Sequence, residues 1–177
     1  MQIMMKLIAK PGKADYPEYA EMYIKLIPAD ADILIFLRDS FTGVKEFICS
    51  LPEEKLNCRY KKDKWSIKEI LVHIIDDERI YAYRALRFAR NEKINLPGFD
   101  QDVYAHYSEA TERDLDNIFS EYEAVRNATI TLFNGLPDDS LDRMGTADHN
   151  NATARARAWH IAGHELHHII FIKENYL

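Results

Sequence analysis

Trp65-Ser-Ile-Lys-Glu69-Ile-Leu-Val-His73-Ile-Ile-Asp-Asp-Glu78 is the stretch that decides how this sequence folds. Ser66 followed three positions later by Glu69 is a capping box. The serine oxygen accepts the amide of the third helical residue, and the glutamate reaches back to the cap's own amide. Trp65 before the cap and Ile70 after it are placed to form a hydrophobic staple. Beyond them Ile67, Ile70, Leu71, Ile74, Tyr81, Ala85 and Phe88 share one helical face, which predicts a helix running to about Asn91.

The same period recurs on either side. Leu34, Leu37, Phe41, Val44, Ile48 and Leu51 mark an earlier helix, with Asp30 or Asp32 available as its cap and Pro52 ending it. Leu115, Ile118, Tyr122, Val125, Thr129, Leu132 and Leu136 mark a third, stopped by Gly135 and Pro137. A fourth is expected from about Thr153 to Asn175. No window alternates with period two and no Asn-Gly or Asp-Gly hairpin signal occurs, so strands are not expected. The pattern reads as an all-α four-helix bundle. Residues 1–30 form an N-terminal arm with a short helix between Tyr16 and Ile27, and residues 31–177 form the bundle.

Composition restricts the function classes. A chain of 177 residues with 47 % apolar and 29 % charged residues has enough apolar material for one sizeable core. A net charge of -6 speaks against sequence-general nucleic-acid binding and against attraction to an anionic membrane. No stretch approaches the roughly 18 apolar residues of a membrane span. The apolar start breaks at Lys6 and lacks the features of a signal peptide, so a cytoplasmic protein is expected. Cys49 and Cys58 are then free thiols serving as packing groups.

The chemistry lies in His160-Ile-Ala-Gly-His164-Glu165-Leu-His167-His168. His164 and His168 fall one turn apart on a helix face, a spacing that lets two imidazoles converge on one divalent metal ion. His160 extends that row by a turn, so 160/164 is the competing pair. The string also matches H-E-x-x-H of metalloproteases. However, only Ile169–Leu177 follow His168 here, and no sheet is expected for peptide to pair with. A third ligand is therefore expected upstream. His73, among Ile70, Ile74 and Ile75, is the best candidate, since a buried neutral imidazole needs a polar partner or a metal. Asp77, one turn on, could orient an imidazole, or could be a solvated charge. His106 and His149 are expected in exposed loops. The loop Leu96-Pro-Gly-Phe-Asp-Gln-Asp-Val-Tyr-Ala-His-Tyr107 mixes turn formers with aromatics. It could cover a pocket, or its aromatics could simply anchor it.

These segments together resemble the DinB/YfiT-like superfamily of metalloenzymes, in its DinB_2-type subgroup. The likeness rests on Lys64-Trp-Ser-Ile-Lys-Glu69 with His73 and Asp76-Asp-Glu-Arg79, and on Gly163-His-Glu-Leu-His-His168. Tyr83-Arg84, Leu96–Asp102 and Gly145-Thr-Ala147 add to it, and it spans about residues 16–177. The resemblance implies an up-down-down-up bundle with a divalent metal, zinc or nickel, held by His73, His164 and His168. His160 departs from the family's usual spacing. The resemblance further implies a homodimer and either a hydrolase or an S-transferase that uses a low-molecular-weight thiol.

Three functions follow. In a metal-dependent enzyme acting on a small molecule, Glu165 would shuttle protons and substrate would enter past Tyr104 and Tyr107. Glu165 could equally serve as a second-shell partner or a surface ion pair. A metal-binding or ligand-binding bundle without turnover is the second possibility. In the third, the histidines are ordinary core and surface groups of a protein-association module.

Overall fold

The computed structural model describes residues 5–177, so Met1–Met4 of the expected arm lie outside the described residues. A 3₁₀ turn at Lys13–Asp15 and another at Glu18–Ala20 lead into α1 (Glu21–Ile24). Then come α2 (Ile33–Cys49), α3 (Glu53–Leu56) and α4 (Ile67–Ala89). Strand β1 (Asn95–Leu96), α5 (Gln101–Tyr107) and a 3₁₀ turn at Ala110–Glu112 follow. The chain closes with α6 (Leu115–Gly135), α7 (Asp138–Leu141), β2 (Met144–Ala147), β3 (Asn150–Thr153) and α8 (Ala154–Asn175).

The caps form as the sequence predicts. The Ser66 Oγ accepts from the Glu69 amide at 3.2 Å, and the Ser66 amide donates to Glu69 Oε2 at 2.6 Å. Asp32 caps α2 by accepting from the Ile35 amide, and Thr153 caps α8 through the Ala156 amide.

Long-range pairs give the directions of the four long helices. Arg126 of α6 reaches the Leu37 carbonyl of α2 while Phe41 meets Tyr122 and Lys45 lies over Phe119, so α2 and α6 are antiparallel. Lys68 of α4 donates to the Arg113 carbonyl just before α6, and Glu78 pairs with Arg126, so α4 and α6 are parallel. His73 meets His168 while Tyr81 stacks on His160, so α4 and α8 are antiparallel. The order is up-down-down-up. One consequence is that the link from α4 to α6 must travel back along α4, whose 23 residues span about 34 Å.

The core is in two parts. Ile24, Leu34, Phe88, Phe133 and Trp159 belong to one, and Ile48, Leu71, Phe119, Tyr122 and Ile172 to the other. Between them lies a buried charged layer. Arg126 donates to both Glu78 oxygens at 3.0 and 3.1 Å, and also to Glu165. Burial pushes the Glu78 carboxyl up, and the adjacent Arg126 opposes it.

The arm is part of this core, with Ile8, Ala20, Ile24 and Ile27 all buried. The Trp159 indole donates to the Ile8 carbonyl at 3.2 Å. A Cβ on Gly163 of α8 would stand 2.3 Å from the Tyr23 carbonyl oxygen. Glycine is what lets the arm lie directly on α8.

Two expectations are corrected. The first concerns strands: a small three-stranded sheet is present, with β1 parallel to β2 and β2 antiparallel to β3. Its strands have two to four residues, too short for alternation to register. Its hairpin turn is Asp148-His149, with φ of 50° and 59°, a two-residue turn of the I′ kind made without glycine. The second concerns the cysteines: Cys49 and Cys58 are free but exposed, and pack nothing. Among the described residues, no helix is long and apolar enough to cross a membrane.

Candidate metal centre

The antiparallel pairing of α4 and α8 brings His73, on the second turn of α4, opposite the middle of α8. The Nε2 atoms of His73 and His164 are 3.1 Å apart, and those of His168 and His164 also 3.1 Å. Ligands at about 2.0–2.1 Å from a shared ion stand about 2.9–3.4 Å apart at octahedral to tetrahedral angles. The observed spacing fits that range. His73 and His164 are buried and His168 half-buried. Among the described residues these three are the one His/Cys/Asp/Glu group with donor atoms close enough to share an ion.

The electrostatics suit neutral nitrogen ligands. Burial drives the His164 imidazole well below its ordinary pKa, with His168, His73 and His160 adding to the drop and Asp77 opposing it. Burial, then His73 and His167, lower His168 to about 3. His73 is lowered by burial, against the nearby carboxylates Asp77 and Asp102. Neutral imidazoles are the form that binds metal.

Asp77 is fully enclosed, with Oδ2 at 3.4 Å from His164 Nδ1 and 3.6 Å from His160 Nε2. Burial alone would raise its carboxyl, but His164, His160 and His73 hold it down at about 2. It therefore stands behind His164 as a buried anion whose Oδ2 makes no hydrogen bond.

His160 is not part of the convergent group. Its ring stacks on Tyr81 at 3.9 Å with 4° between planes, and neither ring nitrogen has a hydrogen-bond partner. The geometry thus brings together 164 and 168, not 160 and 164. Tyr23 of the arm sets its ring edge against His160, His164 and His167 at 5.0–5.3 Å, closing the side of the row that faces the arm.

Glu165 does not lie on the open side. It is 1 % exposed, accepts from the Tyr122 hydroxyl and from Arg126, and belongs to the charged layer between the core halves. One residue along a helix is a rotation of about 100°, which turns Glu165 from α4 toward α6.

On the open side is a cavity of about 540 Å³. His167 and His168 line it from α8, beside the aromatic wall of Trp65, Phe171 and Tyr176. Trp65 also covers His73, with ring centroids 4.7 Å apart. The opposite wall is α5, through Gln101, Asp102 and His106. The loop does border the pocket, but Tyr104 and Tyr107 are absent from the lining. Tyr104 packs on Phe99, and Tyr107 is 77 % exposed. His106, expected in a loop, is instead helical and on the cavity wall. A seven-residue helix is too short for periodicity to reveal which of its faces points inward.

The family model described as the DinB superfamily matches residues 38–172. An Oceanobacillus iheyensis protein named "Putative metal-dependent hydrolase" is 28 % identical over 130 residues, covering 72 % of this chain and 74 % of the relative. Among solved structures, YfiT from Bacillus subtilis superposes with a TM-score of 0.70 at 15 % identity, over 93 % of this chain and 90 % of that one. It is described as a "probable metal-dependent hydrolase with an unusual four-helix bundle topology".

Proposed function

This chain belongs to the DinB superfamily, and from that premise we propose that it is a metal-dependent hydrolase of a small molecule, with His73, His164 and His168 as its ligands. The observation that carries the reading is the convergence of three imidazoles, His73 and His168 each holding Nε2 3.1 Å from that of His164, beside a cavity that His168 lines. Three nitrogens facing a cavity are a catalytic rather than a structural donor set, because a fourth position stays free for water or substrate.

The nitrogen donor set suits several first-row divalent ions, and zinc or nickel is the choice that the family resemblance implies. Such an ion supplies Lewis acidity, polarising a carbonyl and making bound water acidic near neutral pH. The protein's share is positional. Asp77 would orient the His164 ring from 3.4 Å behind Nδ1, and Trp65 packs over His73. Phe171 and Tyr176 offer an apolar surface to the body of a substrate. The names of the relatives favour hydrolysis over thiol transfer. A low-molecular-weight thiol as co-substrate and a homodimeric assembly are finer points of the same proposal.

The test is elemental analysis of untagged protein, paired with zinc-dependent hydrolysis across a panel of small esters and amides. One equivalent of metal and chelator-sensitive turnover are expected. Metal content near zero, with no thermal shift on adding zinc or nickel, would refute the reading.

A further inference from the structure

A hydrolytic site needs a group that moves protons on its open side, and the carboxylates nearest the histidines are already engaged. Asp77 lies behind His164, Glu165 and Glu78 are bound to Arg126, and Asp76 lies 3.8 Å from Arg79. Asp102 is different. It lines the same cavity as His168, its charge opposes the lowering of the His73 imidazole, and its side chain makes no hydrogen bond or ion pair among the described residues. His106 follows it by one turn on the same wall.

The position of Asp102 is fixed rather than adventitious. The Asp100 side chain caps α5 by accepting from the Asp102 and Val103 amides at 3.0 and 3.1 Å. Just upstream, buried Arg84 donates to the Pro97 carbonyl at 3.0 Å, and the Asp148 amide donates to the Leu96 carbonyl at 2.9 Å. The small sheet and α4 therefore anchor the segment that presents Asp102 to the cavity.

We infer that Asp102 is the proton-transfer residue of this site, a role that rests on the metal-dependent reading above. In hydrolysis of an ester or amide, the water oxygen bonds to the acyl carbon while one of its O–H bonds breaks and an O–H bond forms on the Asp102 carboxylate. That proton then passes to the leaving oxygen or nitrogen as its bond to the acyl carbon breaks. The carboxylate ends as it began, and no further reactant is needed. Besides His168, the other charged or titratable groups that line the cavity are Tyr60, Asp63, Lys64, His106, His167 and Tyr176.

The experiment uses the full chain loaded with cobalt(II), with 2-mercaptoethanol as a protic probe followed by stopped-flow through its thiolate–cobalt absorption. Wild type, Asp102→Asn, Asp102→Ala and Asp102→Glu are compared at neutral pH. All four should hold one cobalt per chain with matching visible spectra. Probe association should slow about tenfold or more in the Asn and Ala variants. The Glu variant should recover much of the rate, and added formate should restore the Ala variant. Equal rates in all four would overturn the assignment of Asp102 while leaving the metal centre intact. Loss of cobalt from Asp102→Asn would make Asp102 a ligand and overturn it too. A wild-type chain that takes up no cobalt would instead bring down the metal-dependent reading itself.

Discussion

His73 Nε2 and His164 Nε2 are 3.1 Å apart, although the residues are 91 positions apart in the chain. Only folding of α4 against α8 joins them, so ligand loss and fold loss are separable. His164→Ala should purify as a folded helical protein, because the ring it removes belongs to neither apolar core cluster. Its metal content should fall far below one per chain by elemental analysis. A variant that keeps a full equivalent would remove His164 from the ligand set.

Asp77→Asn should leave the ligands present but less well oriented. Metal affinity, measured by competition with a chromophoric chelator, should drop about 10–100-fold. Unchanged affinity would make the Asp77–His164 contact irrelevant to metal.

Glu165→Ala should act on stability. It leaves the Arg126 guanidinium, 2 % exposed, without one of its two carboxylates and strips the Tyr122 hydroxyl of its acceptor. Breaking a buried charge pair from one side costs about 3–5 kcal/mol. Urea denaturation should show a loss of this order, while the folded variant should still take up one metal.

Gly163→Ala would place a methyl group 2.3 Å from the Tyr23 carbonyl oxygen. Either the arm lifts or the helix shifts, at a cost of about 1–3 kcal/mol. Faster proteolysis within the first 30 residues would mark the arm as the part that moves.

Acid should destabilise the metal-free protein through its histidines. His168 has a folded pKa lowered to about 3 against an ordinary 6.5. Between these values the unfolded chain binds a proton that the folded chain refuses, so this contribution is complete above about pH 6.5 and is lost as pH falls toward 3. At pH 5 the loss is roughly 2 kcal/mol from this residue alone. Melting temperatures of chelator-treated wild type and His168→Gln between pH 7 and pH 5 check this, with the variant giving the flatter profile.

The long helices and the 164/168 pair were legible because each rests on a local period, whereas His73 was singled out by its apolar setting. Ser66 and Glu69 announce α4 within four residues, and 164/168 is a one-turn spacing. Depth was not legible. Periodicity told that Glu165 sits beside His164, but not that Arg126 and Tyr122 on α6 would enclose it. The contact of Gly163 with Tyr23 links positions with no shared pattern, and α8 is buried almost all round over its first twelve residues, so it shows little amphipathic contrast. The hairpin escaped because Asp148-His149 does by side-chain tolerance of positive φ what Asn-Gly usually does.

The parallel run of α4 and α6 has an evolutionary corollary. The three imidazoles ride on two rigid helices, whereas Asp102 and His106 ride on the crossover between Arg90 and Asp114. Side chains on its cavity face can therefore change without replacing any of the three imidazoles, provided that buried Leu96 and Ala110 keep their places in the core. The crossover behaves as a cassette, and a chimaera carrying a relative's crossover should inherit that relative's substrate preference while keeping its own metal.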